Sequence, residues 1–448
     1  MAFAYFPHTE DDIRQMLDRI GVESLEELYS AVPGEVIYRE EFDLPDAMSE
    51  DEVRQYFHNV ASLNQNMVCL CGLGAYDHYS PAMIPHIISR SEFLTAYTPY
   101  QPEVSQGTLR YIFEYQSMIT ELTGMDCTNA SMYDGATAAA EAMMMAMAST
   151  KKKTRVLLSE GLLPQVVDVV KTYAKFNGVQ ITMVPCQDGQ TSYGALAAEL
   201  AAGDVAGVLV PGINRYGVIE DFTGFADAVH AQKGLFMVYS DPSSLAVIKT
   251  PGEWGADVVC GDSQTLGVPM AFGGPYVGFL ACRKEHVRKL PGRIVGATKD
   301  VDGKRAYVLT LQAREQHIRR EKATSNICSN QSLMALYVTV YMSLMGPKGL
   351  RQVNELSYGA AHYLHDRLIA TGLFEEAFDK PFLKEFTLKT LVPAEQLQKA
   401  LAEEGFFGAV EVESGLVNFC ATERISKEDI DYVVNVINSV FLGQDKEF

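Results

Sequence analysis

A carboxylate stands directly after a predicted strand, at the position where open α/β sheets bind their ligands. The strand Phe236–Tyr239 runs into Ser240-Asp241-Pro242, so Asp241 falls at the carboxyl edge of the predicted sheet. A carboxylate there can hold the protonated ring nitrogen of a cofactor and strengthen that ring as an electron sink. The same residue can instead cap the helix that follows the strand, and the sequence leaves both roles open.

A helix start rich in small residues is the second chemical feature. The run Asn129–Thr137 precedes an alanine- and methionine-rich helix and contributes Gly135 and the hydroxyl of Thr137. Backbone N–H groups at such a helix start can receive a phosphate, and glycine lets the ligand approach closely. An ordinary helix cap is the alternative interpretation.

A loop with a glycine-rich return to the next strand is the third feature. The run 255–265 reads as a strand followed by a short polar loop, and residues 272–278 return the chain to a strand. This arrangement resembles the loop on which fold-type I pyridoxal-phosphate enzymes carry their Schiff-base lysine. The corresponding position, 23 residues after Asp241, holds Gln264, whose amide nitrogen cannot condense with an aldehyde. The sequence therefore predicts a degenerate cofactor site, no functional cofactor binding and no catalytic residue in this chain alone. The predicted remnants of the site are Gly135, Thr137, Asp241 and Gln264.

Alternating strands and helices must position these residues. From about Arg155, short β-branched runs alternate with helix-like segments, a pattern typical of a mostly parallel sheet flanked by helices. We predict a large α/β domain over residues 66–330 and a smaller α+β C-terminal domain over residues 331–448. The predicted strands are 156–158, 180–184, 207–211, 235–239, 258–260, 276–281, 386–391 and 417–420, and the predicted helices include 163–177, 222–233, 394–403 and 427–442.

Residues 1–65 show a different pattern and are predicted to form a helical arm. Thr9–Asp12 and Ser24–Glu27 each have the form of a capping box, and Ser49–Glu52 opens a third helix. Pro33 and Pro45 interrupt the segment between them. Such an arm packs either on another subunit or on its own domain, and the sequence does not distinguish the two.

Composition excludes several classes of function. The formal net charge of -20 over 448 residues argues against nucleic-acid binding, which needs clustered cations. The longest apolar stretch, Leu333–Met345, is shorter than the roughly 20 residues of a membrane span. Eight scattered cysteines indicate neither a zinc site nor a disulfide framework, and no metal site is predicted. No signal or transit segment is visible, so a cytoplasmic location is expected.

Long motifs connect the chain to a known family. It resembles the P-proteins of the glycine cleavage system, and in particular the first of the two subunits into which some organisms divide glycine decarboxylase. The resemblance runs essentially from end to end. Gly74-Ala75-Tyr76 departs from it, since a tyrosine pair would be expected after the glycine. The passages that carry the resemblance are 6–9 with 20–25, 97–107, 129–142, 264–269 and 319–328.

The resemblance implies a division of labour between two subunits. The lysine and the pyridoxal phosphate would belong to subunit 2, and this chain would be its lysine-lacking partner in an α2β2 heterotetramer. The substrate of the assembled enzyme would be glycine. Carbon dioxide would be lost from glycine, and the aminomethyl group would pass to the lipoyl group of H-protein. Tyr97, Tyr100 and Glu103, which lie in a segment of prolines and aromatic residues, are candidates to reach the partner's cavity. Bracing of the core is the alternative role for that segment.

Two other functions compete with an obligatory decarboxylase subunit. One is a scaffold or regulatory pseudoenzyme that contributes no side chain to catalysis. The other is an independent nucleotide-using enzyme, but Gly72-Leu73-Gly74 lacks the third glycine and the strand-to-helix context of a dinucleotide fingerprint. A neighbouring reading frame that encodes a similar chain with lysine at the Gln264 position would separate the first function from the third.

Overall fold

The structure is a computed structural model that describes residues 5–150, 152–323 and 325–443. Two compact units make up the chain, Met1–Gln65 and Asn66–Phe448. Among the described residues, no helix is both long and apolar enough to cross a membrane. The predicted division of residues 66–448 into two domains stays a prediction.

Two capped α-helices lie between residues 5 and 65 of the first unit. Helix α1 spans Glu10–Ile20 and begins with the predicted capping box at Thr9. Helix α2 spans Glu50–Ala61 and begins where a helix start was predicted, with a capping box formed by Ser49 and Glu52. The box predicted at Ser24 is wrong, because a 3₁₀ helix begins at Glu26 without a side-chain cap. Its four residues are too few for a stable α-helix. Between residues 5 and 65 no side chain is buried.

Eleven further α-helices lie in the part of the second unit that the structure describes. Several match the sequence prediction closely, including the helices predicted at 163–177, 394–403 and 427–442. The helix predicted at 222–233 is shorter, because Gly224 has φ 84° and only Phe225 onward is helical. The helices are α3 Met83–Ile88, α4 Ser91–Leu94, α5 Gln106–Thr123, α6 Gly135–Ser149, α7 Pro164–Asn177, α8 Tyr193–Leu200, α9 Phe225–Ala231, α10 Gln316–Arg319, α11 Ser332–Ala370, α12 Ala394–Glu403 and α13 Lys427–Leu442.

Seventeen strands accompany these helices in the described residues. They are β1 Val68–Leu70, β2 Cys127–Thr128, β3 Arg155–Ser159, β4 Gln180–Val184, β5 Cys186–Gln187, β6 Gln190–Thr191, β7 Val205–Pro211, β8 Leu235–Tyr239, β9 Val258–Asp262, β10 Gly278–Cys282, β11 Ile294–Lys299, β12 Arg305–Thr310, β13 Phe374–Glu376, β14 Glu385–Thr390, β15 Phe406–Gly408, β16 Val410–Glu413 and β17 Leu416–Cys420.

A seven-stranded sheet lies at the centre of the second unit. Its strand order is β2-β10-β9-β8-β7-β3-β4, with β4, β3, β7, β8 and β9 parallel. Strand β10, predicted to begin at Tyr276, begins at Gly278 and runs antiparallel to β9. The carboxyl ends of β7, β8 and β9 therefore meet at one edge, where Asp241 and Asp262 follow or close their strands.

Both faces of this sheet are buried. Along β3, Leu157 belongs to one apolar cluster, whereas Val156 and Leu158 belong to another. This alternation follows from the two-residue period of a strand and explains why these strands read as continuous apolar runs. Helices α6 and α7 contribute to one face, and α5 and α11 contribute to the other.

The C-terminal residues build a second, antiparallel sheet with its own apolar cluster. Its strand order is β13-β14-β17-β16, and α12, α13 and the second half of α11 pack against it. Helix α11 is interrupted at Gly346, which has φ 60° and precedes Pro347. Strand β14 is preceded by Lys384, which is 1% exposed.

Candidate functional site

The predicted remnants of the cofactor site converge at the carboxyl edge of the seven-stranded sheet. We call this group the cradle and define it by Gly135, Asp241, Asp262, Gln264 and Tyr76. The cavity beside it has a volume of about 30 Å³ and is lined by residues that include Tyr76, Asp241 and Asp262. A water molecule needs roughly 10–15 Å³ measured in this way. The cavity therefore has room for about two water molecules and not for an aromatic ring.

Gln264 is fully buried, and its amide group is fully engaged. The side-chain Oε1 accepts a hydrogen bond from the backbone N–H of Tyr76 at 2.8 Å. Its Nε2 donates to the carbonyl oxygens of Tyr76 at 2.8 Å and of Val268 at 2.7 Å. Gln264 therefore ties the 3₁₀ turn after β9 to the segment that contains Tyr76. An amide held in this way has neither the nucleophilicity nor the freedom of a Schiff-base amine.

The N-terminus of α6 is closed by carboxylates from the chain itself. The N–H of Thr137 donates to Oδ1 of Asp134 at 2.7 Å, in a capping box. The N–H of Gly135 donates to Oδ2 of Asp262 at 2.9 Å. Of the two alternatives for this helix start, a phosphate site and an ordinary helix cap, the structure contains the contacts of the helix cap.

Crowding and charge around Gly135 also oppose a phosphate. A Cβ atom at Gly135 would collide with the hydroxyl of Tyr239. Burial raises the pKa of Asp262 to about 6, and the nearby charge of Asp134 adds to the rise. A phosphate dianion at this helix start would face both carboxyl groups.

Asp241 already has a cation beside it. The backbone N–H of Ser243 donates to its Oδ1 at 2.9 Å, and Nζ of Lys384 lies 2.8 Å from its Oδ2. The latter contact is an ion pair whose angles fall short of hydrogen-bond geometry. Burial acts to raise the pKa of Asp241, but the Lys384 ammonium, together with weaker contributions that include Thr265, holds the pKa below the ordinary value. Asp241 is therefore an ionised carboxylate in a dry environment.

A buried polar chain extends from Lys384 away from Asp241. Its Nζ donates to Nε2 of His78 at 3.0 Å, and Nδ1 of His78 lies 2.7 Å from Oε2 of Glu423. Burial and the Lys384 ammonium lower the pKa of His78, so its imidazole is neutral with the proton on Nδ1. The charges of Lys384 and Asp241 then offset each other, and the Glu423 carboxylate accepts hydrogen bonds from the neutral His78 ring and the N–H of Tyr79.

The adjacent residue, Glu385, fills the space on the other side of Tyr76. Its Oε2 accepts from the Tyr76 hydroxyl at 2.6 Å, and its Oε1 accepts from Nδ2 of Asn418 at 3.0 Å. Burial raises the pKa of Glu385. A Cβ atom at Gly72 would collide with this carboxyl group, so close packing accounts for the first glycine of Gly72-Leu73-Gly74 without a nucleotide.

Pyridoxal phosphate does not fit the cradle. Its aldehyde would meet Gln264, which is no amine, and its phosphate would meet Asp262 and Asp134. Its ring nitrogen would compete with Lys384 for Asp241. Sequence reasoning missed Lys384, Glu385, His78 and Glu423. The only signal was the charged pair Lys384-Glu385 at the start of a strand, which is most often solvent-exposed.

The three predicted contributors to a shared site lie on the surface. Tyr97 is 73% exposed and Tyr100 is 46% exposed, and Glu103 is also exposed. The hydroxyl of Tyr100 accepts from Nη2 of Arg293 at 3.2 Å. Within residues 66–443, as far as they are described, no hydrogen bond, ion pair or ring contact joins these three residues to Asp241 or Gln264.

A second, mostly exposed segment, residues 319–328, is anchored on α6 and on the segment that leads into it. The hydroxyl of Ser325 donates to Oε1 of Glu141 at 2.6 Å, and the N–H of Cys328 donates to the Tyr133 hydroxyl at 3.2 Å. Two of the motifs singled out in the sequence are thus in contact. Thr324, which belongs to the second of them, lies outside the described residues.

One cluster elsewhere has groups of the kind that bind metals. Ligand atoms of Asp257, Glu285 and His286 lie within 4.8 Å of one another. The contacts present there are those of a hydrogen-bonded cluster, since Oδ2 of Asp257 accepts from the N–H of Phe236 at 2.7 Å and lies 2.8 Å from Nε2 of His230.

Comparison with known proteins gives a consistent result. The family model described as glycine cleavage system P-protein matches residues 3–437. A protein of Moorella thermoacetica named "Probable glycine dehydrogenase (decarboxylating) subunit 1" is 47% identical over 443 residues, which cover 97% of this chain and 99% of that protein. A protein of Carboxydothermus hydrogenoformans with the same name is 47% identical over 442 residues, with coverages of 97% and 99%.

Solved structures agree with the sequence relatives. A crystal structure of glycine decarboxylase (P-protein) in inhibitor-bound form has a TM-score of 0.90 and 42% identity, and the match covers 98% of this chain and 100% of that one. Glutamate decarboxylase of Lactobacillus brevis has a TM-score of 0.67 at 12% identity, with coverages of 93% and 98%. The latter likeness concerns the fold alone, which is the fold-type I architecture of pyridoxal-phosphate enzymes.

Proposed function

This chain belongs to the glycine cleavage system P-protein family, and from that premise we propose that it is the lysine-lacking subunit of a two-subunit glycine decarboxylase. In this proposal the partner is a lysine-bearing sister chain that binds pyridoxal phosphate and glycine. The two chains assemble as α2β2, and the lipoyl group of H-protein accepts the aminomethyl group. The bound cofactor supplies the electron sink for decarboxylation.

The observation that carries the proposal is that side chains of this chain fill the cradle, although the fold-type I architecture around it is retained. Gln264, Asp262 and Lys384 occupy the contacts that a cofactor would need. A chain of this kind contributes through surfaces that another subunit uses, because fold-type I enzymes build their sites at subunit interfaces.

The exposed apolar side chains of the arm support an obligatory partner. In α2, Tyr56 is 57% exposed and Phe57 is 63% exposed. Large contiguous apolar surfaces mark interfaces more often than free surface. We propose that the arm packs on the lysine-bearing subunit.

The segment around Glu103 is proposed to line the partner's cavity. Tyr97 and Tyr100 offer rigid aromatic faces with a hydroxyl, and Glu103 offers a carboxylate with no ion pair among the described residues. In this role the three side chains position substrate or exclude water beside the partner's cofactor.

The experiment reconstitutes the complex from separately purified chains. Exchange of carbon dioxide into glycine is measured with lipoylated H-protein, with each chain alone and with both. We expect exchange only with both chains. Full activity of the lysine-bearing chain alone would exclude an obligatory role for this one.

A single substitution then separates a shared site from a scaffold. Glu103→Ala should lower exchange by about tenfold or more without dissociating the complex. Glu92→Ala, an exposed glutamate paired with Arg90 at 2.7 Å, is the matched control and should leave exchange unchanged. Normal exchange in the Glu103 variant would favour the scaffold, which contributes no side chain to catalysis.

A further inference from the structure

Lys384 is unusual because a lysine side chain is almost never fully buried. It is 1% exposed, and the Asp241 side chain beside it is 8% exposed. The two residues come from different sheets. Asp241 follows β8 in the seven-stranded sheet, whereas Lys384 immediately precedes β14 in the four-stranded sheet.

The surroundings of the ammonium group are those of a specific cation site. Oδ2 of Asp241 lies at 2.8 Å, Nε2 of His78 accepts at 3.0 Å, and the Tyr76 ring centroid lies at 4.2 Å. Burying an ammonium ion costs several kcal/mol unless such partners offset the cost. The aromatic face adds an attraction for the cation.

The contact on Asp241 is also the one that a protonated cofactor ring would make. An ammonium group and a pyridinium ring both place a positive charge against a carboxylate, and Lys384 does so as an ion pair at 2.8 Å. We propose that Lys384 is a tethered counter-ion that takes the place of the cofactor ring nitrogen on Asp241. It thereby joins the two sheets without any bound ligand.

Asp241 thus has a structural role in a chain that lacks a Schiff-base lysine. The Asp241 carboxylate pairs with Lys384 in place of a cofactor ring, and its negative charge compensates the buried ammonium group. The inference does not rest on the proposed function, since it concerns the cohesion of this chain alone.

A double-mutant cycle on the full-length chain tests the pairing. Lys384→Met, Asp241→Asn and the double variant are compared by thermal unfolding. Lys389→Met is the matched control, because Lys389 lies on the adjoining strand β14, pairs with Glu375 at 2.7 Å, and is 55% exposed.

Each single substitution at the pair should lower the melting midpoint well beyond the control, because it leaves an uncompensated buried charge. The double variant should lose clearly less than the sum of the two single losses. Additive losses, or a Lys384→Met loss no greater than that of Lys389→Met, would overturn the proposal.

Two measurements on the unaltered chain keep the proposal testable if the variants do not fold. In amine acylation followed by mass spectrometry, Lys384 should react at least 100-fold more slowly than Lys389 in the native chain and equally fast in denaturant. Equal native rates would contradict a buried ion pair.

The second measurement uses pyridoxine 5′-phosphate, which has the ring and phosphate of the cofactor but no aldehyde to react with surface lysines. Its addition should leave the melting midpoint unchanged. A dose-dependent rise would show that the cradle accepts the ring, and Lys384 would then not have replaced it.

Discussion

The cradle and the surface around Tyr97 differ in how their polar groups are used. In the cradle, the Gln264 amide, the Gly135 N–H and the Asp241 carboxylate all face partners from this chain. On the surface, Tyr97 and Glu103 face solvent, although both belong to a motif of the same family. The polar groups of the cradle are thus paired within the chain, whereas Tyr97 and Glu103 remain largely exposed to solvent. In the function proposed above, the exposed side chains serve the partner subunit and the cradle serves only the stability of this chain.

The largest expected effect concerns exposed side chains, here the aromatic residues of the arm, and not the buried cradle. The double substitution Tyr56→Ser/Phe57→Ser should weaken association with the lysine-bearing subunit by roughly 30- to 1,000-fold, the cost of about 2–4 kcal/mol for losing buried aromatic contacts. Sedimentation or co-purification measures it. Phe176→Ser, which alters an aromatic residue that is 79% exposed in α7, is the control and should leave association intact. Unchanged association of the arm variant would assign the interface to the second unit.

The next effect probes the closed interior. Gln264→Ala leaves the N–H and carbonyl of Tyr76 and the carbonyl of Val268 without their partner. We expect a loss of about 2–4 kcal/mol in the free energy of unfolding, from unpaired polar groups and a cavity. Gln396→Ala, at an exposed position of α12, should change it by less than about 0.5 kcal/mol. Equal small losses in denaturant titrations would mean that Gln264 is not a structural tie.

A third effect concerns Glu141, a buried carboxyl group in α6 that accepts a hydrogen bond from Ser325. Burial raises the pKa of Glu141 from 4.5 to about 7. Between these values the folded chain binds more protons than the unfolded chain, so stability falls as pH rises, by at most about 3 kcal/mol. Above pH 7 the full penalty is present.

Glu141→Gln removes this titration and keeps an acceptor for Ser325. The variant should be more stable than the parent above pH 7 and should show a flatter stability profile between pH 4.5 and 7. Glu114→Gln on α5, where the side chain is 43% exposed, is the control. A parent profile that Glu141→Gln leaves unchanged would contradict a neutral buried carboxyl group.

The smallest expected effect is none at all. Gln264→Lys should not create glycine decarboxylase activity in the isolated chain, because Asp262 and Lys384 would still fill the remaining contacts. Incubation of the parent chain with pyridoxal phosphate and then borohydride should label no single preferred lysine. Stoichiometric labelling at one lysine, or glycine-dependent release of carbon dioxide by the variant, would show that the cradle is open.

The local elements of the fold could be predicted from the sequence. Strands β4 and β8 and helices α12 and α13 were predicted with their exact bounds, because period, caps and β-branched composition are local properties. The antiparallel direction of β10 was not predicted, because strand direction depends on the pairing partner. The length of the helix predicted at 222–233 was overestimated, because the positive φ of Gly224 could not be predicted from the sequence and the helix begins only at Phe225.

What the sequence by itself determined is the loss of the nucleophile. Glutamine at position 264 is a chemical fact that no folding changes, and the long motifs indicated the family from the same residues. What only the tertiary structure decided is the replacement of the missing ligand. His78 and Lys384 are 306 residues apart in the chain, and their meeting with Asp241 depends on how two sheets pack. Sequence spacing does not reveal which residues that far apart in the chain come into contact. The buried charge of Lys384 is tolerated only because the folded structure brings Asp241 and His78 beside it.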